Sequence, residues 1–120
     1  MLRVGIDLVR VSRIAESMTA FGERFVRRVF TPGEAAYATT PERLAARFAA
    51  KEAVKKALEL DGVGWREIEV ARRDSGACDV ILHGAARAAA DAIGARELAL
   101  SMSHEGDTAT AMVVVSCEST

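Results

Sequence analysis

The stretch from Thr40 to Leu60 limits the possible folds of this chain more than any other segment. Thr40 followed by Pro41 is a helix start, since a threonine hydroxyl can cap the first turn and proline lacks only an N–H that would be unpaired there. The spacing predicts a helix over about 41–60. At about 100° per residue, Ala46, Ala49, Ala50, Ala53, Val54 and Ala57 share one arc, and Lys51, Glu52, Lys55 and Lys56 fall on the other. The small apolar side chains allow another element to pack closely. The charged arc has two readings. It is either an ordinary solvated face, with Glu52 and Lys56 paired one turn apart, or a site where acid and base together hold a divalent metal and a polyphosphate. Phe48 sits in the middle of that arc, and a large aromatic there needs cover from a ligand, a neighbouring element or another subunit.

A second constraint lies near the start. Val4, Ile6 and Leu8 alternate with Gly5, Asp7 and Val9, which predicts a strand over about 2–9 and puts Asp7 on the face of Gly5 and Val9. An unpaired carboxylate on that face is costly to desolvate, so Asp7 needs a partner. One reading makes it an acceptor of backbone hydrogen bonds near a strand end. The other makes it a metal ligand beside Glu52, because magnesium is commonly held by one or two carboxylates plus phosphates and water.

The remaining signals set the fold class. Ser12 is a candidate cap for a helix carrying Ile14, Met18 and Phe21, which Gly22 ends, and Thr31-Pro32-Gly33-Glu34 has capping-box spacing, so three helical pieces fill the first half. A turn at 61–64 leads to strands through Ile68/Val70 and Val80/Leu82, joined at Asp74-Ser75-Gly76. An Ala-rich helix from Gly84 to Ile93 ends at Gly94, and strands through Leu98–His104 and Val115 flank a turn at Glu105-Gly106-Asp107. Glu118 to Thr120 read as a frayed end. The order β, helices, β, β, α, β, β predicts a single α+β domain, residues 1–120, with a mostly antiparallel sheet packed against the long central helix.

Several functions are disfavoured. With a net charge of -1 the chain has no global positive field for nucleic acid. It has no apolar run of membrane-spanning length and no signal-peptide pattern, and Cys78 and Cys117 fit no ligand or redox motif, which together predict a cytoplasmic protein with reduced thiols. There is no nucleophile elbow, no Walker loop and no Gly-x-Gly-x-x-Gly. Metal-assisted transfer between two bound substrates is then the economical chemistry. His104, at a strand end beside Ser101 and Ser103, is a candidate phosphate or proton contact, whereas His83 is given no role. Arg10, Arg13, Arg24, Arg27 and Arg28 are either a solubilising surface or, as a group, a dock for an acidic protein.

Gly5-Ile6-Asp7 with Arg13-Ile14, Arg47-Phe48-Ala49-Ala50-Lys51-Glu52-Ala53 with Lys56-Ala57, Ile68-Glu69-Val70, and Ser101-Met102-Ser103-His104 resemble, in order and spacing, the short single-domain phosphopantetheinyl transferases of the holo-acyl-carrier-protein synthase type. The resemblance covers nearly the whole chain. It implies the 4'-phosphopantetheinyl transferase fold and transfer of 4'-phosphopantetheine from coenzyme A to a serine of an apo acyl carrier protein, with magnesium as the metal and adenosine 3',5'-bisphosphate released. Carried over by position, Asp7 and Glu52 are the implied metal carboxylates, and Arg47, Lys56 and His104 contact coenzyme A phosphates. Arg13 docks the carrier. Glu52 is the implied proton acceptor, directly or through water, and Lys56 stabilises or protonates the leaving phosphate. The resemblance also implies a homotrimer with sites between protomers, which would cover Phe48.

This chain departs from the pattern at Leu58–Gly64, which replaces a Gly-Thr-Gly-like loop, at Gly76-Ala77-Cys78, and at Asp107-Thr108-Ala109. A variant serving a secondary-metabolic rather than a fatty-acid synthase fits such changes. Two competing readings stand beside the transferase. One is a noncatalytic module that binds carrier protein or nucleotide through its basic helices. The other is a small α+β domain whose charged helix packs a homo-oligomer.

Overall fold

A computed structural model describes residues 1–118; of the segment expected to fray, residues 119 and 120 lie outside the description. The chain runs β1 (Leu2–Arg10), α1 (Val11–Phe21), α2 (Glu23–Val29), α3 (Pro32–Tyr37), α4 (Pro41–Leu58), a single 3₁₀ turn (Trp65–Glu67), β2 (Ile68–Arg72), β3 (Cys78–Leu82), α5 (Gly84–Ala92), β4 (Ala95–Glu105) and β5 (Thr108–Cys117). The α+β class and the antiparallel pairing are as expected. The strands form two sheets rather than one, a three-stranded sheet in the order β1-β5-β4 and a separate β2-β3 hairpin.

α4 is the hub. Its Ala49, Ala53, Val54 and Ala57 are buried against Ala111, Val113 and Val115 of β5. Gly5 permits the tightest approach: a Cβ there would overlap the Ala53 carbonyl and come within 2.9 Å of the Ala57 nitrogen. The alanine arc and this glycine therefore seat β1 directly on the helix. The alternate face of β1 points away from the core, leaving Leu2, Val4, Ile6 and Leu8 58–72% exposed, with Met112 of β5 beside them.

Three local readings are corrected. Ser12 does not cap α1, which starts at Val11; Asp107 in the β4–β5 turn takes that role, accepting from Ser12 N at 2.8 Å and Ser12 Oγ at 2.6 Å. The first half holds four helices, because Gly22 ends α1 and is followed at once by α2, which buries Val29. Lys51 is not on a solvated face. It is fully buried, its ammonium 2.7 Å from Glu34 Oε1 and also bonded to the carbonyls of Trp65 and Ile68. Glu34 in turn closes the capping box of α3 by accepting from Thr31 N and, with its other oxygen, accepts from Val70 N. A lysine with several methylenes can cross an apolar interface when carboxylate and carbonyl acceptors await it, a possibility that a helical projection does not register.

Candidate active site

Asp7 lies one pleat beyond Gly5, on the face turned toward α4, so the close seating of β1 brings its carboxylate to the charged side of the helix. Lys56 Nζ donates to Asp7 Oδ1 at 2.9 Å and to the Ile6 carbonyl at 3.0 Å. The partner that Asp7 requires is therefore supplied from α4. On the other side, Thr110 Oγ1 donates to the Asp7 carbonyl at 2.9 Å, tying the strand to β5.

A cavity of about 920 Å³ opens between β1, α1 and α4, and Asp7, Arg10, Arg13, Phe48, Glu52 and Thr108 are among its walls. Asp7, Glu52 and Arg13, named separately along the sequence, thus share one space. Glu52 is oriented from outside that space: the indole Nε1 of Trp65 donates to Glu52 Oε1 at 2.7 Å. The Trp65 ring packs against Phe48, with centroids 5.9 Å apart, and the Lys55 ammonium lies 4.9 Å from the ring centroid. Phe48, Glu52 and Lys55 recur at helical spacing, so the charged arc of α4 is a cradle for one aromatic side chain. The cover that Phe48 needs comes in part from within the chain.

Arg47 and His104 are not among the residues lining this cavity. Arg47 is 5% exposed and lies with Arg43 and Arg72 around Tyr37, the three guanidinium carbons 4.7–5.5 Å from the ring centroid. One Arg47 nitrogen donates to the Arg43 carbonyl at 3.3 Å, while its Nε is buried with no partner among the described residues. His104 is exposed near the end of β4, opposite Ala109. Among the described residues no group of three or more His, Cys, Asp or Glu is placed to hold a metal; the carboxylate residues on the cavity wall are Asp7, Glu16 and Glu52.

Three titratable groups away from the cavity wall are shifted by burial or by specific bonds. Burial pulls the Lys51 ammonium below the ordinary lysine value, opposed by the attraction of Glu34. The Glu69 carboxyl is held below its usual value by bonds from His83 at 2.9 Å and Thr31 at 2.8 Å, so His83 pairs with a carboxylate rather than standing alone. Asp107 is likewise lowered by its bonds from Ser12.

Trp65, Tyr37 and Arg72 are missing from the sequence reading. Trp65 had a usable signal: it is the single tryptophan of the chain, and it follows a turn that sends the backbone back along α4. A half-buried indole generally seeks an acceptor for its N–H.

The chain is a small α+β transferase by descent: it belongs to the 4'-phosphopantetheinyl transferase superfamily, whose family model matches residues 3–109. Its curated relatives include the holo-[acyl-carrier-protein] synthase of Koribacter versatilis, 44% identical over 95% of this chain and 97% of the relative. That of Herpetosiphon aurantiacus is also 44% identical, over 95% and 98%. Among solved structures, the Chronobacterium ammoniagenes ACPS-CoA complex superposes with a TM-score of 0.89 at 36% identity, covering 99% of both chains. The Helicobacter pylori holo-[acyl-carrier-protein] synthase in complex with coenzyme A gives 0.85 at 29% identity, over 94% of this chain and 99% of that one.

Proposed function

We propose that this protein is a holo-[acyl-carrier-protein] synthase, transferring 4'-phosphopantetheine from coenzyme A to a serine of an apo acyl carrier protein. What supports this reading most is that Asp7, Glu52 and Arg13 line one cavity in a chain that belongs to the superfamily. A single transferase domain over residues 1–120 accounts for the whole arrangement.

Magnesium fits these residues. Asp7 Oδ1 is taken by Lys56 and Glu52 Oε1 by Trp65, which leaves one oxygen of each carboxylate for a metal that prefers few protein ligands and completes its shell with phosphate and water. Bound there, it would neutralise charge on the coenzyme A diphosphate. The serine hydroxyl attacks the phosphorus that carries pantetheine, and the bond from that phosphorus to the leaving adenosine 3',5'-bisphosphate breaks. Glu52 is the candidate acceptor of the hydroxyl proton, directly or, with Oε1 on the indole and Oε2 turned to the metal, through a water. Lys56, exposed beside Asp7, stabilises the charge that develops on the leaving phosphate. Arg13 engages the acidic carrier, and His104, exposed on β4, contacts a coenzyme A phosphate; Arg47, 5% exposed against Tyr37, would need that packing to open before it could do the same.

His104 is exposed and lies off the cavity of a single chain, and the exposed Leu2, Val4, Ile6, Leu8 and Met112 form an apolar sheet face. Both features support a homotrimer with sites between protomers. Ile6→Glu should convert it to monomers in analytical ultracentrifugation; a wild-type monomer at micromolar concentration overturns the trimer. The free Cys78 and Cys117 support a cytoplasmic setting, and among the described residues no helix is long and apolar enough to cross a membrane.

The activity is tested by incubating the protein with coenzyme A, magnesium and apo carrier proteins and weighing the carriers. A phosphopantetheine mass gain is expected. No gain on carriers that a known synthase modifies refutes the assignment.

A further inference from the structure

Trp65 reaches the site from outside the cavity, and its bonds form a relay. Its Nε1–H donates to Glu52 Oε1 at 2.7 Å, its ring packs against Phe48 and lies 4.9 Å from the Lys55 ammonium, and its carbonyl accepts from Lys51 Nζ at 3.0 Å. Lys51 is fully buried and anchored to Glu34, so the backbone that carries the indole is fixed to the core. The carboxylate at the far end is thereby fixed as well. A glutamate on a helix has three rotatable side-chain bonds, and unrestrained it would sample several rotamers. With Oε1 occupied by the indole, Oε2 is the oxygen left for a cation.

We infer that Trp65 is a positioning residue that presets Glu52 for the metal. The inference rests on the reading of Asp7 and Glu52 as magnesium ligands. A group that orients a metal ligand through its second oxygen commonly changes metal affinity by about 10–100-fold when removed. Trp65 does not touch substrate in this role, and it acts only through Glu52. A merely structural tryptophan would contribute to packing through Phe48 and leave the metal affinity alone.

The test uses Trp65→Phe, which retains an aromatic ring for Phe48 and Lys55 but removes the N–H. Magnesium is titrated calorimetrically into the protein saturated with coenzyme A. The half-saturating magnesium concentration should rise about 10-fold or more relative to wild type, with coenzyme A affinity measured without metal unchanged. In a Glu52→Gln background the same substitution should add no further loss. The wild-type indole N–H gives one cross-peak in a proton–nitrogen correlation spectrum, which should shift when magnesium is added. Should Trp65→Phe fail to fold, replacing Trp65 with 3-benzothienylalanine keeps the bicyclic shape, deletes only the N–H and carries the same expectation. Equal magnesium affinity in wild type and variant overturns the inference while leaving the metal reading intact. No magnesium binding by the wild type overturns both.

Discussion

Lys56 Nζ lies 2.9 Å from Asp7 Oδ1, so the cation assigned to the leaving phosphate already stands against the carboxylate assigned to the metal. The pair is partly solvated, the lysine side chain 58% exposed and the aspartate 18%, and its contribution to stability is correspondingly small. Lys56→Ala should therefore cost less than about 1 kcal/mol in denaturant unfolding. Transfer to carrier protein should slow by about 10²- to 10³-fold, the usual loss when one group stabilising developing charge is removed. Wild-type turnover by the folded variant would remove Lys56 from the chemistry.

The buried pair behaves in the opposite way. Lys51 and Glu34 are both fully excluded from water, and Glu34 also holds Thr31 N and Val70 N. Lys51→Met leaves a carboxylate buried without its counter-ion and should cost about 3–5 kcal/mol in urea unfolding. Adding Glu34→Gln, which keeps an acceptor for the backbone N–H groups and removes the charge, should recover part of that loss. A double variant no more stable than Lys51→Met would show that charge burial is not what the pair resolves.

Acid stability follows from carboxylates held low. Glu69, through His83 and Thr31, and Asp107, through Ser12, are lowered in the folded protein from ordinary values of 4.5 and 3.8. A depressed folded-state value contributes stability that is complete above the unfolded value and is lost as pH falls through the folded one. Melting temperature should be level from about pH 7 to about pH 5 and fall steeply below the ordinary values. Asp107→Asn should melt lower near neutrality and show a shallower acid slope. An unchanged slope would mean that the turn does not cap α1 in solution.

The fold class was legible because its main signals are local. The Thr40-Pro41 cap, the alanine arc of α4 and the period-2 pattern of β1 each act within one element, and each recurs in the structure. Asp7, Glu52 and Arg13 could be named by residue type and motif order, but their meeting depends on Gly5 letting β1 close on α4. What escaped was long-range. The acceptors of Lys51 come from α3 and the segment around Trp65, the cap of α1 comes from a turn about a hundred residues away, and Trp65 meets Glu52 only after the chain reverses. Helical projection puts a lysine outside by default and cannot see such partners.

The most direct measurement is the mass of an apo carrier protein after incubation with coenzyme A and magnesium, comparing wild type with Glu52→Ala at matched fold by circular dichroism. Transfer at the Asp7–Glu52 cavity predicts a phosphopantetheine gain with the wild type, its loss when the metal is chelated, and none with Glu52→Ala. A full gain with folded Glu52→Ala would place the chemistry elsewhere and contradict the account.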